Sequence, residues 1–253
     1  MLDWYNKFVI KFIIILIIVA FTIKFLTKVI SFYTYDMNIK KVKRSGILSL
    51  IVIVINAAII IVYVLFTKKY PRYNCGFTLT LVYFFQLLLI LAVAILTKEG
   101  ISSLGITKNN AFKSIVVGGL SGVIFCVAYK NIAIVGSDIN IISTTSLYIF
   151  IMNAMVGFVE EVIYRGYLQT RLTCWIGTVK GLLITSVLFG LIHIPKYLIW
   201  QKVNFDKLLI SCLIITVSGT IFGYMRIKTK NIIACSILHT VIDWAQVVMQ
   251  AVG

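Results

Sequence analysis

Five ionisable residues stand where such residues are costly. Glu160, Glu161, His193, His239 and Asp243 lie within or at the ends of long apolar runs, and the two histidines are the only ones in the chain. A charged side chain at the centre of a bilayer costs about 2.5–3.5 kcal/mol by insertion measurements, so it marks function unless a partner absorbs it. Glu161 and Arg165 are four residues apart in the favourable acid-before-base order, which reads as a structural ion pair at a helix end. Glu160 is turned about 100° away from that face and needs another partner; it reads as functional. Phe189 and His193 share a face, and a lone histidine there is more often a satisfied core residue than a working one. His239 and Asp243 again share a face. Their spacing suits two metal ligands, an aspartate that orients an imidazole, or a plain structural hydrogen bond. Taken together, three separate helices each offer one polar patch. If they pack side by side, the patches supply a base for water and groups for an oxyanion, which are the parts of a hydrolase.

The elements that must position these residues are membrane helices. The chain of 253 residues is 60% hydrophobic and only 13% charged, with a mean hydropathy of +1.02, beyond what a soluble core of this size buries. About 20 apolar residues span a bilayer core. Eight stretches qualify, at roughly 8–27, 46–66, 77–97, 114–135, 141–162, 181–194, 207–225 and 231–252. The expected fold is therefore all-α, a polytopic helical bundle of about eight transmembrane helices. The sixth is short, and Pro195 is expected to end it. The first lacks a small-residue cleavage site and reads as a retained helix rather than a signal peptide. Gly118, Gly119 and Gly122, and the pair Gly219 and Gly223, mark close helix contacts. Asp3, Asp36, Glu99, Asp138 and Asp206 fall in predicted loops or ends, and Tyr164 and Trp244 are expected at the headgroup belt rather than capping a pocket. The five cysteines have no pairing pattern and read as small packing residues.

The net charge of +16 does not point to nucleic acid. The basic residues sit between apolar runs, as they do in membrane loops bordering anionic headgroups. Segments 28–44, 98–113, 165–180 and 226–230 carry fourteen of them, against eight on the opposite side. This bias predicts both termini outside.

The three patches, Glu160-Glu161-Val162-Ile163-Tyr164-Arg165, Phe189-Gly190-Leu191-Ile192-His193 and His239-Thr240-Val241-Ile242-Asp243, resemble the EExxxR, FxxxH and Hxxx(N/D) motifs of the CPBP family of intramembrane proteases, also called the Abi or CAAX-protease and bacteriocin-processing family. Each motif is weak alone, but the ordered set is specific. The resemblance covers about residues 145–252. It implies an N-terminal group of about four helices in 1–140 and a catalytic core of about four in 141–253. It also implies Glu160 as general base, His193 helping to position water, and His239 with Asp243 on the oxyanion side. Glu161, Arg165 and Phe189 would support the site. Family members have also been described as metalloproteases. A zinc ion, if used, would be held by Glu160, His193, His239 and Asp243, whereas a glutamate mechanism requires no cofactor. The absence of an HExxH pattern leaves this open. Where some relatives carry Asn, this chain has Asp243, which donates a hydrogen bond only when protonated.

The expected activity is cleavage of a peptide bond in a membrane protein or bilayer-presented peptide, by an integral, multi-pass protein. The lysine- and isoleucine-rich composition fits a bacterial cell membrane, where a prenylated CAAX substrate is not expected. The alternative is a non-catalytic membrane adaptor or bacteriocin self-immunity protein on the same fold. A proton-relaying transporter is disfavoured, because the polar residues lie in one half and no repeat relates the halves.

Overall fold

The computed structural model describes residues 2–33, 39, 41–133 and 144–250. Asp36, Lys40 and Asp138, and the expected helix ends at 134–135, 141–143 and 251–252, lie outside the described residues. The described residues are helical, with no strand among them. Among the described residues nine α-helices run in order: α1 Leu2–Val29, α2 Val42–Lys69, α3 Gly76–Leu96, α4 Ala111–Ala133, α5 Thr144–Glu161, α6 Thr170–Ile176, α7 Thr178–Leu191, α8 Phe205–Thr229 and α9 Ile233–Gln250. Seven stretches among the described residues are long and apolar enough to cross a bilayer, and the shorter apolar helix Ile233–Val248 follows them. The protein is a polytopic helical membrane protein.

Two expected boundaries move. The fifth span does not stop near Val162. It continues through a wide π-helical segment, Val162–Gln169, into α6, so that Thr144–Ile176 forms one 33-residue span. Its charged and amide residues in the π segment are paired inside the protein, Glu161 with Arg165 and Gln169 with the Gly223 carbonyl, so they do not break the run. Nor does Pro195 end the sixth span. The chain turns at Ile192–His193, and Pro195 (φ −58°) opens a second π segment, Lys196–Gln201. Proline is tolerated there because the first turn of a helix needs no N–H donor.

The chain forms two compact units. One comprises residues 1–34, 108–158 and 225–253. In it, Phe12 of α1 meets Phe125 and Tyr129 of α4 at ring separations of 6.0 and 6.2 Å. α4 lies against α9 through glycines: a Cβ on Gly118 would stand 2.7 Å from the Ala234 carbonyl oxygen, and one on Gly122 would press into Val241. Gly119 faces open space and takes no part in that contact.

The second unit comprises residues 35–107 and 159–224. Here Arg165 and Gln169, one turn apart in the π segment, meet Gly219 and Gly223, one turn apart on α8. Arg165 Nη2 donates to the Gly219 carbonyl at 3.2 Å, and Gln169 Nε2 to the Gly223 carbonyl at 3.0 Å. The missing Cβ atoms bring the α8 carbonyls within reach, so the GxxxG stripe serves polar recognition as well as close approach. Glu99 lies in the loop after α3, as expected, but its side chain is buried. It accepts from Ser45 Oγ at 2.7 Å and from Arg171 Nη2 at 2.5 Å, and the Arg171 guanidinium lies 3.9 Å from the Tyr167 ring centre.

Arg165, Arg171 and Arg226 are thus interior residues, with 0%, 0% and 2% exposure. They do not mark a membrane side, and removing them from the fourteen leaves eleven basic residues against eight. Tyr164 is also interior, its ring 5.0 Å from that of Phe189, which corrects its placement at the headgroup belt. Burial against an aromatic partner outweighs the tyrosine's preference for the interface.

Candidate active site

The adjacent carboxylates Glu160 and Glu161 have different fates. Successive helical residues point about 100° apart. Glu161 is fully buried, and its Oε1 lies 3.0 Å from Arg165 Nη1 in a salt bridge whose partners are both 0% exposed. The Arg165 guanidinium sits 4.1 Å from the Phe189 ring centre and 5.3 Å from that of Phe222. The charge of Glu161 is therefore neutralised, and its cation is clamped by α7 and α8. Glu160 is half-buried, and its Oε1 accepts a hydrogen bond from the Tyr83 phenol at 2.6 Å. This length falls in the charge-assisted range for O–H···O⁻ contacts.

Phe189 connects the support to the histidine. Its ring packs edge-on to Tyr164 at 5.0 Å and to His193 at 5.2 Å. Its carbonyl lies 2.9 Å from His193 Nδ1. A carbonyl only accepts, so Nδ1 carries a proton and Nε2 is the accepting nitrogen of the neutral ring. The turn at Ile192–His193 places this half-buried imidazole where α7 stops. Glu160, Glu161, Arg165, Phe189 and His193 thus belong to one compact unit.

His239 and Asp243 belong to the other unit, on α9. His239 Nε2 lies 3.4 Å from Asp243 Oδ2; the imidazole is 5% exposed and the carboxylate 37%. α5 passes the ring at a glycine, since a Cβ on Gly157 would lie 3.5 Å from His239 Cγ. Trp244 donates its indole N–H to Ser146 Oγ at 3.1 Å and packs edge-on to Phe150. Both contacts tie α9 to the start of α5.

Among the described residues, no three His, Cys, Asp or Glu side chains are placed to hold a metal ion. The two imidazoles and two carboxylates are donors that zinc accepts; Glu160 and His193 lie in one unit, His239 and Asp243 in the other.

Sequence reasoning missed Tyr83, which lies in the apolar run of α3. A buried tyrosine hydroxyl in a membrane span must find a partner, and that requirement was the only signal available in the sequence. It also missed the Glu99–Arg171 pair, whose residues are 72 positions apart.

Residues 142–245 match the family model described as type II CAAX prenyl endopeptidase Rce1-like. No curated protein and no solved structure matches the chain.

Proposed function

Residues 142–245 belong to the CPBP family of CAAX-type intramembrane endopeptidases, and on that premise we propose that the protein hydrolyses a peptide bond in a membrane protein or bilayer-presented peptide, with Glu160 as the general base. The observation that carries this reading is the division of labour between the two carboxylates. Glu161 is consumed by Arg165, whereas Glu160 is half-buried and held by a neutral phenol. A carboxylate locked against a guanidinium is a poor proton acceptor; a half-buried one that accepts from a phenol is the better placed of the two to take a proton from water.

In the proposed reaction, Glu160 takes a proton from water as the oxygen attacks the scissile carbonyl carbon. His193, with Nδ1 anchored on the Phe189 carbonyl, accepts from the same water through Nε2 and orients it. The carbonyl π electrons move onto oxygen, and His239 stabilises that oxyanion, its ring oriented by Asp243. Asp243, 3.4 Å from Nε2, is the group that orients this ring. Collapse of the tetrahedral intermediate breaks the C–N bond, and the proton held by Glu160 passes to the leaving amine. Glu161, Arg165 and Phe189 hold α5, α7 and α8 in register and touch no reacting atom.

The test is cleavage of an internally quenched peptide library by the purified protein in liposomes, comparing wild type with Glu160→Ala, with and without a zinc chelator. Cleavage lost in Glu160→Ala and unchanged by chelator supports the scheme. Loss with chelator as well would move Glu160, His193, His239 and Asp243 to metal ligands. Equal cleavage by wild type and variant would return the protein to the adaptor reading.

A further inference from the structure

α3 buries only four of its 21 residues, Tyr83, Gln86, Ile90 and Ala94. Their spacing of three and four places them on one face. Two of the four are polar, although the rest of the helix is suited to lipid. Polar groups at this depth need partners within the protein, and each of the two donates to one. Gln86 Nε2 donates to the Asn56 carbonyl of α2 at 3.3 Å, and Asn56 Nδ2 donates to the Val52 carbonyl at 2.9 Å. Tyr83, one turn away, donates to Glu160. The Gln86–Asn56 bond fixes how far α3 slides along α2. A slip of one turn, about 5.4 Å, would carry the phenol out of reach of the carboxylate.

We propose that Tyr83 is a positioning residue for the reaction, supplied by the N-terminal helices outside the family-matched stretch 142–245, and that it acts by holding the Glu160 carboxylate through its phenol O–H. This rests on the reading of Glu160 as general base. The phenol occupies one carboxylate oxygen and fixes the side-chain rotamer, so the carboxylate meets water in a single orientation. When Glu160 has taken the proton, the contact changes from a charge-assisted to a neutral hydrogen bond and weakens. The proton is then released readily to the amine nitrogen. The family motifs would thus be necessary but not sufficient: the base works at full rate only when α3 is docked.

The full-length protein in liposomes, cleaving a quenched peptide chosen from the library, provides the test. Tyr83→Phe should lower kcat about tenfold with KM within about twofold, the pattern of an interaction used in the transition state rather than in substrate binding. Fluorotyrosines of graded acidity incorporated at position 83 should give kcat values that track phenol acidity, which a purely packing ring would not do; this series also serves if Tyr83→Phe folds poorly. In the substrate-free protein, the infrared carboxylate band assigned by its loss in Glu160→Gln should shift in Tyr83→Phe. Glu160→Gln retaining wild-type kcat would overturn the general-base reading, and the role of Tyr83 with it. If Glu160→Gln is inactive but the fluorotyrosine series is flat and the band unmoved, the role of Tyr83 alone is overturned.

Discussion

Arg165→Leu should be among the most destabilising single changes in the protein. The guanidinium is 0% exposed, lies 3.0 Å from a carboxylate that is also 0% exposed, donates to the Gly219 carbonyl at 3.2 Å and sits 4.1 Å from the Phe189 ring centre. Removing it takes the guanidinium from the fully buried Glu161 carboxylate, and breaking a buried pair in this way costs about 3–5 kcal/mol. Loss of the desolvated cation–π contact contributes up to about 2 kcal/mol, overlapping with the first figure. At about 2–4 °C per kcal/mol for a chain of this size, Tm should fall by at least about 6 °C. The double variant Glu161→Leu/Arg165→Leu should recover most of that loss, since apolar side chains of similar volume replace a buried pair at little cost. Thermal unfolding in detergent, followed by tryptophan emission, reads both variants. An Arg165→Leu protein melting within 1 °C of wild type, or a double variant no more stable than the single, would refute the buried-pair reasoning.

Three further outcomes can be checked. Gly118→Ala should cost about 1–3 kcal/mol, because the new Cβ meets the Ala234 backbone, whereas Gly119→Ala, facing open space, should be neutral or stabilising by up to about 1 kcal/mol; paired thermal melts separate them. Glu99→Gln should destabilise by about 3 kcal/mol by leaving Arg171 a buried, uncompensated charge, while Ser45→Ala should cost only about 1 kcal/mol, as equilibrium unfolding would show. Cys75 is exposed just before α3, and hydrogen bonds from the backbone N–H and then the hydroxyl of Thr78 hold its thiol below the ordinary value. Its thiolate fraction at a given pH is therefore raised. Iodoacetamide should alkylate Cys75 faster at pH 8 in wild type than in Thr78→Val, and equal rates would contradict this.

The helical architecture was legible because hydropathy alone reports it: apolar runs of bilayer length must satisfy their own backbone. The Glu161–Arg165 pair was legible because its partners are one turn apart, and the PheXXXHis spacing foretold the contact of Phe189 with His193. Pairings distant in sequence were not legible. Tyr83 and Glu160 are 77 positions apart, and Glu99 and Arg171 are 72 apart. No local period encodes such contacts, so a tyrosine in an apolar run reads as a belt residue and a buried arginine counts as a topological marker. The π segments were hidden for another reason. Val162–Gln169 and Lys196–Gln201 carry no distinctive composition, so no local propensity announces their widening.

The most direct test of the central claim is the initial rate of peptide cleavage in liposomes by wild type and Glu160→Gln, with each protein shown to melt at the same temperature. A general base at Glu160 predicts a fall of at least about 100-fold, the lower end of what acid–base catalysis contributes. Cleavage by Glu160→Gln within a few-fold of wild type would contradict it.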